Sequence, residues 1–171
     1  ESTRMDSKGL TMVLEGFATL RFNSEGVMAR LDTIAQEKGF DGVASREAVS
    51  LLHSFVLLHG VHGQPPCEPA SPLLNALGKR ISVLASQLEP YELSSAVITL
   101  GKLVRVFDFD DQVEMTERLE TAIGEETFRL DMKALPAILD SFAFMYEATK
   151  RQTVSVAVTE TRRRFLSQMC N

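Results

Sequence analysis

Three histidines and a cysteine, His53, His59, His62 and Cys67, gather all the chain's histidines near one of its two cysteines and superficially suggest a metal site. A zinc site needs three or four such groups converging tetrahedrally on one ion. His53 falls in an expected helix, the others in or beside a stretch rich in Gly and Pro, and no Cys-x-x-Cys pair accompanies them. The spacing matches none of the strong zinc patterns. Ordinary loop residues are expected here, with no metal and no cofactor.

Cationic chemistry is the next candidate. Arginine recurs at Arg30, Arg80, Arg118 and Arg164, each time just before an apolar stripe. On one face of a repeat array these four would form a ladder whose forked guanidinium donors bind successive phosphates. The plainer alternative is a surface arginine whose stem covers the core while its head pairs locally. Glu114 lies four residues before Arg118 and Glu160 four before Arg164, the favourable orientation for intrahelical pairs. Lys150, Arg151, Arg162 and Arg163 make the last quarter the most positive part of the chain and are the residues expected to touch RNA phosphates, with binding that falls as salt rises. Asp108, Asp110 and Asp111 lack the glycine and terminal glutamate of a calcium loop and read as solvated surface.

The patterns that would support catalysis are missing from the sequence. It holds no phosphate-binding glycine loop, no Gly-x-Ser-x-Gly and no His-Glu-x-x-His. His53 and Ser54 are sequence neighbours, which point in different directions on a helix. Glu125 and Glu126 end a helix with no paired acid in a recognisable cleft. A non-catalytic role without a small-molecule substrate is expected.

All these side chains must be positioned by one apolar pattern, written four times at intervals of about forty residues. It reads Leu10-x-x-Val13-Leu14-x-x-Phe17-Ala18-x-Leu20, then Ala48-x-x-Leu51-Leu52-x-x-Phe55-Val56-x-Leu58. It returns as Leu93-x-x-Ala96-Val97-x-x-Leu100-Gly101-x-Leu103 and Leu135-x-x-Ile138-Leu139-x-x-Phe142-Ala143-x-Met145. Spacings of three and four put each set on one face of a helix. A second stripe follows each repeated arginine, as in Arg80-Ile81-x-x-Leu84-Ala85 and, more weakly, Arg164-Phe165-x-x-Gln168-Met169. With these as A helices and the first set as B helices, the order is B-A-B-A-B-A-B-A.

Self-similarity at this period marks a stacked helical-repeat array. The expected fold is an all-α, right-handed α-solenoid of antiparallel helix–turn–helix repeats. It has about three full pairs plus an unpaired B helix near 7–21 and an unpaired A helix near 154–170. Burying one B stripe does not offset the entropy of ordering its whole repeat, so stacking on neighbours is obligatory. Free-standing arrays also need polar caps. Two bare end helices therefore predict further repeats, or other protein subunits docking at the open ends. The whole of 1–171 reads as one repeat segment of a longer array or complex, with one long loop at 59–72. Ser45 and Asp131 are expected N-caps and Pro90 suits a first helical turn, whereas Pro136 sits awkwardly close behind Asp131 and suggests a start a residue or two later than that cap implies. Gly60 and Gly63 close the second B helix.

At the B helices the pattern resembles a known group. Ser54-Phe55-Val56-Leu57-Leu58, Leu100-Gly101-Lys102-Leu103 and Ser141-Phe142-Ala143-Phe144-Met145 are similar to organellar helical repeats of the FAST-kinase-like, RAP-domain, heptatricopeptide and octotricopeptide kinds. The resemblance implies a protein of the mitochondrial matrix or a plastid that works with RNA, in RNA processing, editing, translation or an organellar ribosome. This chain departs from such RNA-gripping members in being acidic and in showing no recognisable C-terminal RAP module. That favours a scaffold in a ribonucleoprotein or, alternatively, a protein–protein adaptor without RNA contact.

Composition agrees with a folded domain, at 44% apolar and 24% charged residues. The net charge of −5 is opposite to that of a typical nucleic-acid binder. No apolar run approaches the roughly 18–20 residues of a membrane span, so a soluble chain is expected. Cys67 and Cys170 form no disulfide framework, which points to a reducing intracellular compartment. The initial Glu1 leaves open a processed product or a piece of something longer.

Overall fold

A computed structural model describes residues 7–169 apart from 21–24, 39, 41, 60–67 and 127–128, and in the last helix the side chains through residue 153. The described residues are all-α. The helices are α1 (Ser7–Leu20), α2 (Glu25–Lys38), α3 (Ser45–His59), α4 (Pro72–Leu84), α5 (Pro90–Leu103), α6 (Gln112–Glu126) and α7 (Leu135–Met169). A 3-10 turn, Ala85–Gln87, follows α4.

Each helix starts where local chemistry allows it. Ser71 accepts the Leu74 N–H at the head of α4, and Pro72 occupies the first turn, where its missing N–H costs nothing. α5 opens with Pro90 inside a capping box in which Glu89 and Glu92 satisfy each other's backbone N–H groups. Asp131 does cap, but it caps a turn: its carboxylate accepts the Lys133 N–H at 2.9 Å, and α7 begins four residues later, with Pro136 in its first turn. Ser45 is the first residue of α3 instead of its cap, since the Ala44 carbonyl accepts the first helical hydrogen bond from Ala48.

Packing follows the alternation in the sequence. α1 packs on α3, α3 on α5 and α5 on α7, while α2 packs on α4 and α4 on α6. The two rows meet through α3–α4, α5–α6 and α6–α7. One continuous core runs between them, including Leu14, Leu52, Phe55, Leu77, Leu100 and Ile138. Arg129 near Glu89, Gly101 against Ser141, and Arg151 on the Val104 carbonyl show α5 and the start of α7 ascending together.

One expectation is corrected. The fourth B stripe and the last A stripe do not form a hairpin, because both lie in the single 35-residue α7. Neither Gly nor Pro occurs after Pro136, so nothing interrupts the backbone ladder near residue 153. The structure also joins residues 68–70 to residues 107–108. Glu68–Pro69 (β1) pairs in parallel with Phe107–Asp108 (β2), and Ala70 N–H donates to the Asp108 carbonyl.

Candidate functional site

The residues one step off each buried stripe line a surface of their own. On α3 these are Arg46, Ser50, His53 and Leu57; on α5 they are Tyr91, Ser95, Ile98 and Lys102. Both sets step by four, three and four residues, the spacing of one helix face. They occupy matching places relative to Ala48 and Leu93.

Two adjoining depressions sit on this face. One, of about 450 Å³, lies between Arg46, Val49, Ser50 and His53 of α3 and Glu89, Tyr91, Glu92 and Ser95 at the head of α5. The other, of about 370 Å³, lies along Ser95, Ile98 and Lys102 and is closed on its far side by Arg129, Asp131 and Ala134. His53, Tyr91 and Ser95 belong to both, so the two make one groove over α5. On the neighbouring α1–α3 surface, Ser50 donates a hydrogen bond to the Glu15 carboxylate.

Charge in the groove is asymmetric in its partners. Glu89 faces Arg129 at 3.8 Å and shares the capping box with Glu92. Asp131 holds the Lys133 N–H, and Arg129 is also bonded to Glu126 at 3.0 Å. Every acid in the groove is thus engaged. By contrast, the side chains of Arg46, His53 and Lys102 have no ion-pair or hydrogen-bond partner among the described residues.

The residues expected to carry function are mostly occupied elsewhere. Arg80 donates from Nε and Nη2 to the Val43 carbonyl at 3.0 and 2.8 Å, tying α4 to the turn before α3. Arg118 pairs with Glu114 at 2.6 Å, as the spacing predicts. Arg30 is exposed on α2. The Arg164 side chain lies outside the described residues, as do those of Arg162 and Arg163. Lys150 is exposed, while Arg151 reaches the Val104 carbonyl at 3.2 Å. The Arg80 and Arg118 heads have local protein partners, which is the plain reading of the repeated arginine.

Among the other expected groups, His53 is exposed and Ser54 buried, so the pair does point apart. The His59 side chain, His62, Cys67 and Cys170 lie outside the description. No group of three or more metal-ligating side chains occurs among the described residues. Phe109 of the acidic turn is buried against Gly78, and the Asp110 N–H donates to Asn75 Oδ1, so this turn is anchored while Asp110 and Asp111 stay exposed. Tyr146 of α7 donates to the Glu120 carboxylate of α6; that hydrogen bond, with burial and the nearby charge, pushes its hydroxyl up to about 12. The comparisons with family models, curated proteins and solved structures give no match for this chain.

Proposed function

We propose that the chain is a non-catalytic α-solenoid scaffold, a structural or assembly subunit held in a larger complex by protein contacts at its open ends and along its B-helix face. The observation that carries this reading is the fate of equivalent positions. Leu14, Leu52 and Val97 are fully buried, but Leu139, at the same place in the fourth repeat, is 61% exposed. Leu103 and Met145 are fully buried, whereas Leu20, their counterpart in the first repeat, is 77% exposed. A position built to carry the next helix is bare at each end of the row, which is what a stack awaiting a neighbour presents.

The organellar ribonucleoprotein setting follows from the resemblance of the B helices, and in it this chain joins through protein. Arg80, Arg118 and Arg151 have local partners, and the chain is acidic, which disfavours a phosphate-tracking face. Direct RNA contact would fall to Lys150, Arg162 and Arg163. The test is purification of the tagged protein from its native source, with and without nuclease. Stoichiometric protein partners that survive nuclease and are lost from a Leu20→Glu/Leu139→Glu variant are expected. Recovery of a lone monomer, or of RNA alone, would contradict the proposal.

A further inference from the structure

We infer that the partner at the open ends is a second copy of this chain, stacked head to tail with its α1 on the outer face of α7; this rests on the scaffold reading and names the subunit that docks. The joint between neighbouring B helices is formed three times inside the chain, α1 to α3, α3 to α5 and α5 to α7. Each time, the face turned to the following helix carries the residues four and eight places after the start of the stripe. Leu14 with Ala18, Leu52 with half-buried Val56, and Val97 with Gly101 are covered in this way. The face turned to the preceding helix carries the residue six places after the start, and Ser54, Thr99 and Ser141 are all buried there. Gly101 against Ser141 shows the two places meeting.

Each end of the row displays one half of that joint. α7 presents Leu139 and Ala143 bare, with exposed Pro136 and Tyr146 on the same face, whereas their counterparts Ser94 and Val104 on α5 are buried. α1 presents exposed Gly16 and Leu20 and half-buried Val13, at the places where Ser141, Met145 and Ile138 of α7 are covered. The halves match in size. Ala143 over Gly16 is less bulky than Ala18 over Ser54, which the same places bring together between α1 and α3. Gly16 also stands in the middle of α1, where glycine weakens a helix, yet nothing among the described residues lies within 4 Å of a methyl group built on it. Close approach by a helix from outside the chain gives that glycine a use, as Ser141 does for Gly101.

A second copy carries the covering face already in register and continues the row by the joint that builds it. An antiparallel twofold pairing of two α7 helices fits less well, because it sets the exposed Asp140 and Glu147 edge of one against the same edge of the other. The α1 face instead offers Met12, Gly16, Thr19 and Leu20, all exposed and uncharged. Glu15, the one exposed acid among the described side chains of α1, is held by Ser50 on the α3 side. A head-to-tail joint is heterologous, so it generates open chains of copies, or a ring where the rotation closes. It uses one helix pair, which makes the association depend on concentration.

Sedimentation of the full chain from about 1 μM to about 1 mM tests this, together with variants that each spoil one end. The unaltered chain is expected to pass from single chains to multiples as concentration rises. Leu20→Glu and Leu139→Glu should each stay a single chain alone, and an equimolar mixture should give a one-to-one dimer through the two intact ends. Gly16→Leu should melt no lower in dilute solution and yet lose association, a combination that a role within the chain does not produce. Leu20 and Leu139 are exposed, so unchanged melting of their variants separates lost stacking from lost fold. A single chain at every concentration, self-association of either Glu variant alone, a mixture that does not pair, or undiminished association of Gly16→Leu would each overturn the inference. If the protein purified from its native source then still holds other subunits that a Leu20→Glu/Leu139→Glu variant loses, the scaffold role stands. If it holds none, both fall.

Discussion

Gly101→Ala probes a close approach between two B helices, α5 and the start of α7. A methyl group built on Gly101 would lie 2.3 Å from Ser141 Cβ and 2.6 Å from its Cα, so backbone as well as side chain stands in the way. Carbon atoms normally rest about 3.5–4.0 Å apart, so α5 and α7 must separate by roughly 1 Å or more. Two effects oppose each other. Alanine is favoured over glycine in a helix by about 1 kcal/mol. Forcing the helices apart costs about 1–3 kcal/mol by overpacking, and the shift loosens neighbours such as Leu100 and Ile138 as well. The clash wins, and a net loss of up to about 2 kcal/mol is expected in urea unfolding followed by circular dichroism. Gly124→Ala supplies the reference, because nothing lies within 4 Å of its added methyl group, and it should gain up to about 1 kcal/mol. Equal stability of the two variants would refute the α5–α7 packing described here.

Two further outcomes follow from named contacts. Arg80→Ala strands the Val43 carbonyl and removes two charge-assisted hydrogen bonds, so the midpoint of unfolding should drop by the equivalent of about 1–3 kcal/mol, whereas Arg118→Ala, on an exposed pair, should cost under about 1 kcal/mol. In a near-ultraviolet titration one of the two tyrosines should ionise only near about 12, and Tyr146→Phe should abolish that step. The sign is fixed by linkage: with the folded value raised, the Tyr146 contribution to stability is complete below about 10, the ordinary value, and is lost as pH climbs through about 12. Its amplitude should be small, because the side chain is exposed.

Much of the fold is legible in the residues themselves. The spacing of Leu51, Leu52 and Phe55, and of Leu93, Val97 and Leu100, marks helices and the faces they bury. Gly101 stands where the first stripe has the buried Ala18, and its small size lets Ser141 of α7 come close. What escaped was set by tertiary neighbours or by a missing signal. The long α7 hides two stripes because apolar spacing alone does not say where a helix stops when no breaker is present. The pairing of Glu68–Pro69 with Phe107–Asp108 joins segments far apart in sequence and too short to show a strand period. The groove needed both helices in place. Arg46 and Lys102 are unremarkable alone, and only the packing of α3 beside α5 brings them to adjoining depressions. The expected RNA residues were read from charge density, and a cation count does not show that Arg151 spends its head on the Val104 carbonyl.

The most direct test of an open-ended stack compares one residue type at one repeat position, Leu52→Ala against Leu139→Ala, by equilibrium unfolding of the full chain. Leu52 is fully buried and should cost about 2–5 kcal/mol on truncation, while Leu139 is 61% exposed and should change stability by less than about 0.5 kcal/mol. A comparable loss from both would mean that the chain itself covers Leu139, closing the stack and contradicting the account.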